Sequence, residues 1–193
     1  MSETIETILN RRSIRCFTPK PVEHETLITL LKAAMAAPTA CNSQPWEFVV
    51  VTESEVLDQI RAKFLFARYN APAAIVVCGN PDIANNVEGR RHWEHDCSAA
   101  TENILLAAAG LGLGAVWIGI HPYPSKIKPV AEVLGIPENV TPLSMVYVGH
   151  PAEQRRNRRE TDTMNSRSTS NVTSRASAGQ RSRTQNILDT EAK

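Results

Sequence analysis

Two short stretches of the 193-residue chain carry side chains suited to gripping a polar small molecule. The first is Arg11-Arg12-Ser13-Ile14-Arg15. Guanidinium forks match the oxygens of a phosphate, and a serine hydroxyl between them adds a short neutral donor. A solvated basic turn is the plain alternative for that run. The second is Pro38-Thr39-Ala40-Cys41-Asn42-Ser43-Gln44-Pro45-Trp46. Two prolines set the path on either side, and Asn42 and Gln44 each offer a donor and an acceptor. That set fits hydroxyls or an amide-like ring edge, although a loop with local Asx turns would also use it. A third stretch, His92-Trp93-Glu94-His95-Asp96-Cys97, places two histidines on one helix face beside two further ligand types. A metal site needs a fuller set of ligands, and the sequence offers no second His/Cys cluster to complete one. Trp93 and His92 therefore read as walls of a pocket or of a subunit contact.

Other chemistries leave no trace. Gly110, Gly112 and Gly114 follow a helix pattern and precede a strand pattern, the reverse of a dinucleotide fingerprint. The sequence has no phosphate-cradling GxxxxGK[ST] run and no GxSxG nucleophile elbow. No catalytic triad or carboxylate pair stands out.

The elements that must position these residues centre on Asp96 to Ile120. Residues 99–109 are strong helix formers without proline, and 104–109 are apolar on every side, which predicts burial all round. Three glycines end that helix, and Ala115 to Ile120 follows as a buried strand. A core helix thus feeds directly into a core strand, and the site is expected where that strand ends. Apolar spacing also predicts helices over 4–10, 26–37, 55–66 and 125–134. Strands are expected over 48–51, 73–78 and 143–148.

A chain of this length supports one domain with a substantial core. Its net charge of +1 conceals an asymmetry. Residues 1–153 carry 12 basic and 16 acidic side chains, a balance of −4, whereas residues 154–193 carry 9 and 4, a balance of +5. An acidic body argues against nucleic-acid binding, which needs concentrated positive charge. No apolar run approaches the roughly 20 residues of a membrane span. Cys16, Cys41, Cys78 and Cys97 show no CxxC pairing, and no charged n-region with an apolar h-region opens the sequence. A cytoplasmic protein with reduced thiols is expected. Residues 163–193 hold six serines, five threonines, four arginines and no aromatic residue, so a disordered tail is expected there.

Taken in order, RRSIR, PTACNSQPW, ENILLAAAGLGLGAVWIGI and the closing VYVGHPAE resemble the nitroreductase family of FMN-dependent oxidoreductases in its short-chain form. The resemblance covers about residues 3–155 and implies an α+β fold: a mixed, mostly antiparallel central sheet with helices on both faces. It implies a homodimer with FMN at the interface and NAD(P)H as electron donor. Residues 1–155 then form the FMN-binding domain and 156–193 a polar basic tail. By resemblance Arg11, Arg12 and Ser13 hold the FMN phosphate and ribityl chain, and Arg15 sits beside the flavin pyrimidine edge. Pro38, Thr39, Asn42 and Gln44 belong to the loop that reaches the flavin from the partner subunit. Trp117, Ile118, Gly119 and Ile120 form the strand end at the cofactor, with the backbone of Gly119 and Ile120 facing flavin N5 and O4.

Two departures stand out. Thr39 occupies a position where such proteins often have serine. Beyond residue 155 the family's aromatic-rich arm gives way to the polar tail, which reads either as a diverged end or as a frame-shifted one. Arg155, Arg156, Arg158 and Arg159 are the basic residues there that could serve the phosphate, Arg158 and Arg159 foremost. The implied activity is hydride transfer from NAD(P)H through flavin N5 to an electron-poor acceptor such as a nitroaromatic or quinone, in ping-pong fashion. Flavin N5 carries the hydride, so no side chain is assigned as acid or base and no metal is expected. Trp93, Phe66, Tyr69 and Tyr123 are candidates to line the acceptor pocket. The alternative is a flavin-binding protein of the same fold with little turnover.

Overall fold

A computed structural model describes residues 2–152. The polar tail expected over 156–193 lies outside the described residues. Five helices and four strands follow in the order α1 (Glu3–Asn10), α2 (His24–Met35), β1 (Trp46–Val51), α3 (Ser54–Ala62), β2 (Ala73–Gly79), α4 (Val87–Gly110), β3 (Gly114–Gly119), α5 (Pro124–Leu134) and β4 (Thr141–Gly149). The strands form one sheet in the order β1-β2-β4-β3, antiparallel at every junction. The parallel component is a single bridge, where Ser13 pairs with Ala115 at the outer edge of β3.

Period-two alternation sends neighbouring strand residues to opposite faces. Ala73, Ile75 and Val77 of β2, with Val146 and Val148 of β4, face α2 and α4. Ala74 and Val76, with Met145 and Tyr147, face α3 and α5. β2 is buried along its whole length, as a continuous apolar run requires. Each face therefore has its own apolar layer. Ile104 and Ala108 of α4 have no exposed surface on the first, and Ile60 of α3 has none on the second.

The sequence expectations meet the structure with three differences. α4 starts at Val87, about three turns before the apolar pattern begins, because Asn86 caps it by accepting the Gly89 N–H at 2.8 Å. α3 ends at Ala62 rather than at residue 66. Arg68 donates to Phe64 O at 2.7 Å and Arg61 donates to Ala71 O, so side chains satisfy carbonyls in the connection to β2. The third difference concerns burial. Ile104, Leu105 and Ala108 are buried, but Leu106, Ala107 and Ala109 are only half-buried. α1 crosses this outer face of α4 without covering it, and Ile5, Ile8 and Leu9 of α1 stay 44–50% exposed beside it.

Truncating Ile104 to alanine removes atoms from the layer between α4 and the sheet. The expected loss is about 2–5 kcal/mol. Urea unfolding should show a lower midpoint at unchanged slope.

Candidate functional site

The outer edge of β3 is where the sequence-marked residues gather. In the ladder with β4, Ile120 donates its N–H to Leu143 O at 3.0 Å, and the pairing runs Gly114 with Gly149 through Gly119 with Ser144. Alternation then turns the odd-numbered residues of β3 away from β4. Two bonds along the free edge agree with this. Ile14 donates its N–H to Ala115 O at 3.0 Å, and Lys126 Nζ donates to Gly119 O at 3.0 Å. The N–H groups of Trp117 and Gly119 have no partner among the described residues. Space beside Gly119 is open as well, since a Cβ built there meets no atom within 4 Å.

The basic run is anchored at the other end of the same edge. Arg11 is the C-cap residue of α1 and lies 3.6 Å from Glu102 of α4. Arg12 Nη1 donates to Leu9 O at 3.1 Å and to Arg11 O at 2.9 Å, satisfying carbonyls at the end of α1. Ser13 is exposed at its bridge to Ala115. Exposed Arg15 makes one long bond, from Nη1 to Ser13 O at 3.4 Å. The chain then crosses to the end of β4, where Thr18 donates its N–H to His150 O and Ala152 donates to Cys16 O. Ala115 and Gly119 are four positions apart, roughly 13 Å of strand. The edge thus carries a cationic, hydroxyl-bearing end and an unpaired amide end. Arg158 and Arg159, also marked for the phosphate, lie outside the described residues.

Ile120 departs from the role its position implied for its main chain. Its N–H is already given to Leu143, which also accepts from His121 N–H at 3.0 Å. Ile118 and Ile120 point their side chains into the layer beneath α5, whereas Trp117 packs on the α4 side.

The 38–44 loop is built separately, against α4. Ala40–Asn42 forms a 3-10 turn, and Cys41, Asn42 and Gln44 have φ of 49°, 54° and 49°. That left-handed region is disfavoured for side chains branching from an L-residue backbone. Local bonds hold it: Thr39 Oγ1 accepts the Gln44 N–H at 3.2 Å, and Gln44 Nε2 donates to Asn42 Oδ1 at 3.0 Å. Buried Ser43 accepts from Asn86 Nδ2 at 2.6 Å, and at Gly89 a Cβ would stand 2.2 Å from Ser43 Oγ. Asp96 accepts the Ala40 N–H at 3.1 Å. Asn42 and Gln44 are exposed. The structure does not bring them to the edge of their own β3.

The other marked residues separate. His92 lies on the exposed side of α4, 3.4 Å from Glu88, and its ring meets His95 edge-on at 5.4 Å. Among the described residues no group of three or more His, Cys, Asp or Glu gathers to hold a metal. Cys78 and Cys97 are buried, and burial pushes the Cys78 thiol up to about 12 and raises that of Cys97 as well. Both stay protonated at neutral pH and are poor nucleophiles. Trp93 stacks over Gly79, where a Cβ would overlap the indole, and meets the His121 ring edge-on at 5.1 Å. Tyr69 packs edge-on against buried Tyr147, at 6.0 Å between centroids. Phe66 and Leu65 are 84% and 88% exposed and line a cavity of about 390 Å³ with Ile118, Lys63 and Lys126. Phe66 and Ile118 of its lining were marked in the sequence, whereas Lys63 and Lys126 were not. Lysines 63 and 126 sit in separate predicted helices, and only the early end of α3 brings them together.

Comparison with known proteins gives the family. A family model described as the nitroreductase family matches residues 8–67 and 60–150. A protein of Archaeoglobus fulgidus, named as an NADH dehydrogenase/NAD(P)H nitroreductase, is 45% identical over 157 residues, spanning 80% of this chain and 89% of its own. The crystal structure of a Parabacteroides distasonis protein of the same designation superposes with a TM-score of 0.75 at 40% identity, covering 86% of this chain and 98% of that one. A Desulfovibrio desulfuricans protein designated a nitroreductase, crystallised in complex with FMN, gives a TM-score of 0.68 at 28% identity, covering 85% and 96%.

Asn86 serves twice, as cap of α4 and as donor to Ser43. Replacement by alanine should cost about 1 kcal/mol from the cap alone. It should also raise amide exchange in residues 40–44, measured by hydrogen–deuterium exchange, with strands β2 and β4 unchanged.

Proposed function

The chain belongs to the nitroreductase family, and on that footing we propose that residues 1–155 form the FMN-binding unit of a homodimeric NAD(P)H oxidoreductase. FMN is the cofactor and NAD(P)H the electron donor. Bound FMN would supply a hydride acceptor for NAD(P)H and a two-electron donor for an electron-poor acceptor such as a nitroaromatic or a quinone, in ping-pong order.

One observation carries the reading: the unpartnered Gly119 N–H beside open space, on the strand edge whose other end holds Ser13. Arg11, Arg12 and Ser13 hold the phosphate, with Arg158 and Arg159 as further candidates. Gly119 offers its N–H to the N5 edge of the ring. Trp117 and Ile118 support that strand end, and Ile120 contributes by holding it to Leu143. Arg15 is free to swing its guanidinium to the pyrimidine edge, where negative charge collects on reduction. Pro38, Thr39, Asn42 and Gln44 complete the site from a second copy.

The surface supports a second copy. Ile5, Ile8 and Leu9 of α1, Leu111 after α4 and the half-buried Leu106 leave an apolar band without cover. Such a band on a chain of this size marks an interaction face. No helix among the described residues is long and apolar enough to cross a membrane. Cys16 and Cys41 are exposed free thiols, which suits the reducing cytoplasm.

A spectrum of the purified protein tests the proposal directly. A bound flavin band that bleaches on anaerobic NADH or NADPH, and returns on adding a nitroaromatic or quinone, is expected. A colourless protein that gains no band with added FMN refutes it. A band that bleaches but returns with no acceptor except oxygen would indicate flavin binding without useful turnover.

Arg15→Ala should retain FMN and lower its midpoint potential. A charged donor is worth about 1.5–3 kcal/mol to the negatively charged reduced cofactor. For a two-electron couple that is roughly 30–60 mV, read by spectroelectrochemistry. Ile8→Glu should place a charge in the apolar band, shifting the protein to monomer in light scattering with concurrent loss of FMN.

A further inference from the structure

Asp96 is a buried carboxylate with one hydrogen bond. It is 5% exposed, Oδ1 accepts the Ala40 N–H at 3.1 Å, and Oδ2 has no partner among the described residues. Burying a carboxylate so sparsely bonded is unfavourable, and an apolar side chain would suit this position on α4 better. Stability alone does not account for it. Its one bond falls at the first residue of the 3-10 turn, directly after Thr39 and just before three residues in left-handed backbone. Asn86 and Gly89 hold the far end of the same loop through Ser43. The loop is thus pinned at two points on α4, and Asp96 supplies the one that sets Thr39 and Asn42.

We propose that Asp96 is a positioning residue for FMN binding, holding the Thr39–Gln44 loop in its binding shape through the Ala40 N–H. The inference rests on the FMN-binding reading of that loop. Asp96 touches no cofactor. The Ala40 N–H finds its acceptor on α4, in Asp96 Oδ1 at 3.1 Å. That bond holds in place a backbone that would otherwise relax out of the left-handed region.

Two single variants and their combination test it in the full-length protein. Asp96→Ala removes the acceptor. Ala40→Pro removes the donor, and Thr39, with φ −135° and ψ 154°, already has the extended backbone that a following proline requires. Each should raise the dissociation constant for added FMN, followed by flavin fluorescence quenching, about 10- to 100-fold. The double variant should be no weaker than the worse single one, because both remove the same bond. Asp96→Asn keeps an acceptor oxygen and should bind FMN within about threefold of the parent. Apo-protein melting temperatures should not fall in Asp96→Ala or Asp96→Asn. If Asp96→Ala binds FMN as the parent does, the inference is overturned. It is also overturned if affinity falls only in step with melting temperature, or if the effects of the two single variants add. A parent protein that takes up no FMN overturns the FMN reading itself, and this inference with it.

Discussion

Burial of one face of α4 against the sheet is the constraint on which the rest of the structure depends. Thr101 and Ile104 have no exposed surface and Leu105 is 5% exposed. Each large apolar side chain so placed contributes about 1.5–3 kcal/mol relative to exposure. An exposed ion pair such as Arg11 with Glu102 contributes at most about 1 kcal/mol. The position of α4 is therefore set by its apolar layer, and its surface pairs adjust to it. Even the polar part of the contact is closed on itself. Thr101 donates to Cys97 O at 2.7 Å, and its hydroxyl lies 2.9 Å from that of Ser144 on β4.

From this position α4 serves both halves of the site. Through Gly110 to Gly114 it delivers the chain into β3, whose outer edge carries the unpaired amides. Through Asn86, Gly89 and Asp96 it shapes the 38–44 loop. The loop's left-handed residues cost about 1–2 kcal/mol each where the side chain is not glycine. That cost is offset by side chains on a helix that cannot shift without opening the core. A rigid support for irregular backbone is what a cofactor site requires, since loops alone hold their shape poorly.

Much of the fold was legible in the sequence because the elements advertise burial in two different periods. β2, β3 and β4 read as short continuous apolar runs, and α2 repeats its apolar residues at helical spacing. The first half of α4 was not legible in that way. Its exposed residues include Glu88, Arg90, Arg91 and Glu94, and its inner face is carried by Gly89, Trp93, Asp96 and Cys97, only two of them apolar in the ordinary sense. The signal that could have found it is Asn86, a good cap three residues before a glycine on the inner face. The RRSIR and PTACNSQPW stretches were recognisable as chemistry by residue type. Their separation was not, because the distance between β3 and the 38–44 loop depends on packing of α4. That the Ile120 N–H is already given to Leu143 likewise follows from strand register, which no single stretch of sequence encodes.

An open strand edge is ordinarily a hazard, since its unpaired amides invite another strand to add on. Here the edge of β3 is partly closed by the protein itself. The segment after α1 occupies Ala115 through Ile14, and Lys126 occupies the Gly119 carbonyl while its ammonium rests 4.5 Å from the Tyr123 ring centroid. A charged side chain at that point disfavours pairing with a further strand. It also leaves the neighbouring Gly119 N–H pointing outward, with nothing within 4 Å of where its side chain would be. Occupying the carbonyls of Ala115 and Gly119 leaves the edge's N–H groups bare without presenting a full run of pairing groups to another strand.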